Sequence, residues 1–148
     1  MDIVCAVGSE HVTYDPPLTN TLRTTNVKNE GEFSCTSLTT GVSSGTSTFS
    51  VVRDVSCLLA LTPPNTVTSQ TFVWNTGQSS TVTYPSTTVV RAANGTTVAT
   101  AVGSITSGYG QGSSVTKVVV QPQLSLTACA TTGLEAINGT ASLVITPV

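Results

Sequence analysis

The stretch Thr71-Phe72-Val73-Trp74-Asn75-Thr76-Gly77-Gln78-Ser79-Ser80-Thr81-Val82-Thr83-Tyr84 decides how this chain is read. Large apolar residues fall at every second position on either side of Gly77, and alternate side chains of a β-strand point to opposite faces. With Gly77-Gln78-Ser79 as a three-residue loop, Phe72 stands opposite Tyr84 and Trp74 opposite Val82. All four then share one face, with Val73, Asn75, Thr81 and Thr83 on the other. Aromatic and β-branched cross-strand pairs stabilise such ribbons. The register therefore predicts a hairpin whose Trp74 and Tyr84 rings lie in a core.

The same period of two continues upstream. From Ser47 to Leu61, the residues Phe49, Val51, Val55, Cys57, Leu59 and Leu61 share one parity, interrupted at Arg53, where a bulge is expected. Glu10 to Tyr14 is a strand stopped by Asp15-Pro16-Pro17. Thr21 to Lys28 turns at Asn29-Glu30-Gly31 into Glu32 to Cys35, and Thr36 to Ser47 has the composition of a loop. Downstream, Asn94-Gly95 is the strongest short turn signal and joins Thr87–Ala93 to Thr96–Val102. Strands are expected again at Val115–Val120, Leu124–Cys129 and Ala141–Thr146, with a loop or helical turn between Ala130 and Thr140. No segment of ten residues carries helical periodicity, and no internal repeat is visible. Nine or ten strands with hairpins and long crossovers predict one domain over residues 1–148, a two-sheet antiparallel β-sandwich of immunoglobulin-like or related topology. Trp74 between Cys57 and Cys129 resembles the Cys–Trp–Cys arrangement of immunoglobulin variable domains, but Thr127 occupies the place of the tyrosine corner, which favours another sandwich topology.

Charged residues are only 8% of the 148, against about 25% in an average soluble domain. Thr, Ser, Val and Gly replace them, so hydroxyls must supply the solvation. Net charge is −2, and Arg23, Lys28, Arg53, Arg91 and Lys117 stand singly. Nucleic acid and anionic membrane surfaces both demand clustered cations, so both are set aside as partners. No apolar run approaches the roughly 20 residues of a spanning helix. The four cysteines, Cys5, Cys35, Cys57 and Cys129, form no CxxC pair, and one histidine gives them no zinc partner. Two disulfides in an oxidising compartment follow. Of three possible pairings, Cys5–Cys35 with Cys57–Cys129 is favoured. Asp2 after Met1 begins no signal peptide, so a natural leader is expected to have been removed.

Catalysis lacks its usual parts. With a single histidine, His11, and seven carboxylates spread through the sequence, neither a triad nor a glycosidase pair is evident. No serine sits in a GxSxG elbow. We expect no enzyme, no cofactor and no metal; Glu30 and Glu32 could help hold a calcium ion, but two carboxylates in a loop are read first as solvated. Asn94-Gly95-Thr96 and Asn138-Gly139-Thr140 match the glycosylation pattern but are first read as turns. The candidate binding residues are Tyr109 and Gln111, in the Gly-flanked Ser107-Gly108-Tyr109-Gly110-Gln111, and His11. A tyrosine between glycines presents its ring at low steric cost, or else plugs the underside of its loop.

The opening Cys5-Ala6-Val7-Gly8-Ser9-Glu10-His11-Val12-Thr13-Tyr14-Asp15-Pro16-Pro17-Leu18-Thr19-Asn20-Thr21, with Thr71–Thr81 and Cys129, resembles small secreted four-cysteine, Thr-rich β-proteins of actinobacteria (Streptomyces type). Some of these are similar to the adaptor subunits of umbrella-shaped secreted toxin particles, which join lectin-like subunits to the repeats of a stalk-bearing toxin. The resemblance implies an extracellular assembly role with other secreted proteins as partners, and no active-site residues. An extracellular carbohydrate-binding module is the alternative. β-Augmentation at an open sheet edge, near the N-terminal segment tethered at Cys5, is the expected mode of protein contact.

Overall fold

A computed structural model describes residues 2–57, 67–122 and 126–147. Eight strands follow one another: β1 Ile3–Leu18, β2 Arg23–Thr36, β3 Ser44–Val55, β4 Thr68–Trp74, β5 Ser79–Arg91, β6 Thr97–Gly108, β7 Ser114–Gln121 and β8 Leu134–Thr146. Among the described residues a short helix, α1 Leu126–Ala130, precedes β8. Each strand pairs antiparallel with the next, and β8 returns to β1, for example through Ile3↔Ile145 and Val12↔Ile137. The sheet is a closed barrel.

This overturns the expected sandwich. The all-β class and the one-sided apolar pattern hold, but β1 pairs on both flanks and every strand lies beside its neighbour in sequence within one sheet. Alternation of apolar and polar residues is the same in either architecture. What decides between them is the long-range β1–β8 pairing, which no local pattern encodes. Closure also removes the open edges that motivated β-augmentation, since β1 is hydrogen-bonded to β2 and to β8.

The decisive hairpin turns two residues earlier in the chain than expected, with a loop of the same three-residue length. Phe72 pairs with Ser80 and Val73 with Ser79, because Asn75–Gly77 makes the turn. There Trp74 N–H donates to the Gln78 carbonyl at 2.8 Å, and Gly77 takes φ +89°, which costs a glycine little. The partners slip by four positions. An even slip preserves the faces, so Phe72, Trp74, Val82 and Tyr84 are all buried.

Several strand limits also move. β1 runs through Pro16 and Pro17, which fall where its pairing with β8 is interrupted between Thr13 and Leu18; proline lacks the N–H that a regular ladder requires. β2 is continuous through Asn29-Glu30-Gly31, and a Cβ on Gly31 would come within 2.6 Å of Ser47 Oγ. Glycine there serves close packing inside the barrel rather than a turn. The β2–β3 ladder has no bulge at Arg53. The strand expected to reach Leu61 ends at Val55, and Leu59 and Leu61 lie outside the described residues. Asn138-Gly139 sits within β8, paired to His11 and Glu10, and only Asn94-Gly95 forms a turn, with Gly95 N–H donating to the Ala92 carbonyl. In place of the end of a strand at Leu124–Cys129 is α1, which brings Cys129 to Cys57.

Both favoured disulfides are present: Cys5–Cys35 and Cys57–Cys129. The first lies across the β1–β2 ladder. The second ties the end of β3 to α1 and belongs to an apolar cluster with Val12, Leu18, Val27 and Val55. Trp74 packs in the other cluster, with Cys5, Cys35, Phe33 and Phe72. The immunoglobulin likeness therefore fails in space as well, because Trp74 is at the opposite end of the interior from Cys57–Cys129.

Candidate functional site

An eight-stranded barrel encloses just enough room for its side chains, or for one small ligand. This barrel is filled by side chains at one level and leaves a cavity at another. Toward the Cys5–Cys35 end the interior is filled. Phe33 meets Phe72 edge-on, Phe72 stacks on Trp74, both at centroid distances of 5.5 Å, and Ile3, Ile105, Leu143 and Ile145 close around them. The Trp74 indole N–H donates to Ser80 Oγ at 2.9 Å, and that hydroxyl donates to the Tyr109 carbonyl.

At mid-height a belt of polar side chains crosses the interior. Lys117 Nζ donates to Glu10 Oε1 at 2.9 Å and to Gln70 Oε1 at 2.8 Å. Gln70 Nε2 donates to Ser47 Oγ at 2.7 Å, and the Tyr84 hydroxyl donates to Gln70 Oε1 at 3.2 Å. Asn29 Nδ2 reaches Glu10 Oε2 at 3.4 Å. The belt is nearly dry: Glu10 is 5% exposed and the Lys117 side chain 13%. Burial, with the Glu10 carboxylate adding to it, pushes the Tyr84 phenol far above its ordinary range. Placement follows from parity. Glu10 shares a face with Val12, and Lys117 lies between the inward residues Val115 and Val119.

Above the belt the barrel is hollow. A cavity of about 260 Å³ is bounded by Glu10, Gln70, Tyr84 and Lys117 below and by Val12, Leu18, Val27, Val55, Ala99 and Val119 around it. Phe49, Arg53, Thr87 and Gln121 also line it, Phe49 and Arg53 being exposed. The bore is open here because wall residues such as Ala99 and Thr87 are small, whereas the other end carries Phe33, Phe72 and Trp74. Tyr14 lines the same space, and burial raises its phenol to about 12, a shift that the Arg53 charge partly opposes.

The residues singled out from sequence fall elsewhere. His11 is exposed on the outer face of β1, its Nδ1 hydrogen-bonded to Asn138 Oδ1. Tyr109 is half-buried in the β6–β7 loop, packed against the filled end, and Gln111 is exposed beside it. The structure does not bring these three together. Trp74 and Tyr84 are both 2% exposed and so present no outward stacking platform. Glu30 and Glu32 are in β2, not a loop, and Lys28 at 2.9 Å lowers the Glu30 carboxyl. Among the described residues no group of three His, Cys, Asp or Glu side chains could hold a metal ion.

Fold and site together define a small, closed, up-and-down antiparallel barrel, stapled twice, with a cavity of about 260 Å³ in its interior. Compared with known proteins, the chain matches no family model, no curated protein and no solved structure.

Proposed function

We propose that this is a secreted, non-catalytic assembly module, an adaptor that holds other extracellular proteins together. The observation that carries the reading is the outer face of β5–β8. Every outward residue between Ser86 and Val90, Val98 and Val102, Thr116 and Val120, and Thr140 and Val144 is Val, Thr or Ser. These residues align in rows across the ladders. Val90 pairs with Val98 and Val98 with Val120; Val102 pairs with Thr116, Thr116 with Val144 and Val144 with Val4. Val102 is 50% exposed and Val90 60%. An uncharged surface of this kind loses little on desolvation, as the charge-depleted core of an interface requires. The charged side chains Lys28, Glu30, Glu32 and Asp54 lie on the β2–β3 side instead. Two disulfides are compatible with an extracellular protein, and the likeness of the N-terminal segment to adaptor subunits supports the same reading.

The test pairs purified protein with candidate lectin-like and repeat-bearing secreted proteins and follows co-elution. Val102→Arg with Val144→Arg, at unchanged melting temperature, should abolish the complex. Co-elution that survives both arginines would move the interface off this face. If no such protein binds the unaltered chain, the adaptor reading falls, and binding on a glycan array would put the carbohydrate-binding alternative first.

A further inference from the structure

We propose that the hollow half of the barrel is a binding site for a small, neutral, largely apolar molecule with a hydroxyl or carboxamide head. The inference does not depend on the adaptor reading, because the cavity faces inward and the proposed interface outward.

Size comes first. An engineered apolar cavity of about 150 Å³ holds benzene, and this one is about 260 Å³, enough for a fused ring or a ring with a short tail. The side walls are aliphatic, contributed by Val12, Leu18, Val27, Val55, Ala99 and Val119. They favour an apolar body and leave water there poorly held.

The floor sets the head group. Lys117 has three N–H donors, and the protein takes two, for Glu10 and Gln70. The third is left beside the Tyr84 ring, whose centroid is 5.3 Å from Nζ. Glu10 Oε1 accepts from Lys117 and from Gln70 Nε2, and Oε2 accepts from Asn29, so of a carboxylate's roughly four lone-pair directions one is left, at Oε2. Asn29, also lining the cavity, has a buried Oδ1 with no hydrogen-bond partner. A donor on Lys117 and two acceptors, Glu10 Oε2 and Asn29 Oδ1, thus stand together at the base of an apolar chamber. Because Glu10 and Lys117 neutralise each other, the floor favours neither sign of charge. An anionic ligand would be held next to the Glu10 carboxylate, and a cationic one next to the Lys117 ammonium. A neutral group that both donates and accepts meets the floor without that penalty. Pockets of this make, apolar with a few converging polar groups, are the usual small-molecule sites of proteins.

The probe is 2-naphthol, read by its own fluorescence and by calorimetry, against naphthalene, 2-naphthoate and 2-naphthylmethylammonium. The site predicts that 2-naphthol binds about tenfold more tightly than naphthalene and than either ion. Ala99→Leu and, separately, Thr87→Leu narrow the chamber and should each weaken 2-naphthol at least tenfold, with the melting temperature showing that each variant is folded. Two variants keep the test open if one of them fails to fold. Absence of 2-naphthol binding to the folded protein overturns the proposal. So does equal or tighter binding of an ion, which would refute the neutral floor, or unchanged affinity in both folded variants, which would place the ligand elsewhere.

Discussion

The two ends of the barrel interior are built on the same ladders and the same alternation, yet one is solid and the other hollow. At the Cys5–Cys35 end, Phe33, Phe72 and Trp74 project inward at neighbouring heights and fill the bore. At the Cys57–Cys129 end the inward positions of β5 and β6 carry Thr87 and Ala99. Side-chain volume, not backbone course, makes the difference. The staples differ in kind as well. Cys5–Cys35 joins strands already paired by hydrogen bonds, whereas Cys57–Cys129 closes a separation of 72 residues and connects elements that the sheet does not. The hollow end has less side-chain packing to hold it and a longer-range covalent tie in its place.

The largest way to break this contrast is at Trp74. Trp74→Ala removes a buried, stacked ring whose indole N–H is satisfied by Ser80, and it should cost about 4 kcal/mol in denaturant unfolding. Phe49→Ala, at the rim of the cavity with its ring 36% exposed, should cost about 1 kcal/mol. Equal losses would mean that the hollow end is as tightly packed as the other. Next in size is the belt that separates the two. Lys117→Met leaves the Glu10 carboxylate unpaired, at a cost of about 3 kcal/mol, the lower end for a broken buried pair because the cavity gives Glu10 some access to water. Glu10→Leu combined with Lys117→Met should recover most of that loss, since a buried ion pair is weak evidence of net stability. A double variant as unstable as the single one would show that Gln70, Tyr84 and Asn29 depend on the charges.

Much of the solid end was legible. The period of two around Gly77 puts Phe72, Trp74, Val82 and Tyr84 inward even though the register is displaced, because displacement by an even number leaves parity intact. Both disulfide pairings and the Asn94-Gly95 turn were readable as well. The hollow end was not. A cavity arises where small residues from several strands meet at one height, and that depends on a relative stagger of strands that no single segment contains. Barrel closure escaped for the same reason. The belt did leave a trace: Lys117 shares parity with Val115 and Val119, and a lone lysine on an apolar face signals an interior partner. Spacing alone does not name that partner, because Glu10 lies 107 residues away and meets Lys117 only across the closed barrel. The sequence candidates His11, Tyr109 and Gln111 were chosen for exposure and loop chemistry, which carry no information about an interior site.

A smaller effect comes from alkali. Tyr14 keeps its proton in the folded protein to about pH 12 because burial disfavours the phenolate, while an unfolded tyrosine loses it near 10. Between those values the unfolded chain binds fewer protons than the folded one, so stability is full below pH 10 and is lost as pH rises through 12. Tyr14→Phe should flatten this slope in unfolding measured from pH 9 to 12. An unchanged slope would assign the alkaline loss to other groups.

The smallest effect discriminates best between the two ends, because it adds volume instead of removing it. Ala99 lines the cavity and Ala141 is 4% exposed within the filled cluster; both are alanines in the middle of strands. Leucine at either site adds the same three carbons with the same helix- and strand-independent transfer gain. At Ala141, on β8 opposite Val119, those carbons have no space, and overpacking should cost about 1–3 kcal/mol. At Ala99 they enter empty volume against Val27 and Val119, so the change in stability should stay within about 0.5 kcal/mol of zero, because the gain from burial offsets the lost rotamer freedom. Chemical denaturation of the two single variants measures the difference directly. Similar losses at both positions would mean that the cavity does not persist in solution, and with it would go the physical distinction between a solid and a hollow end.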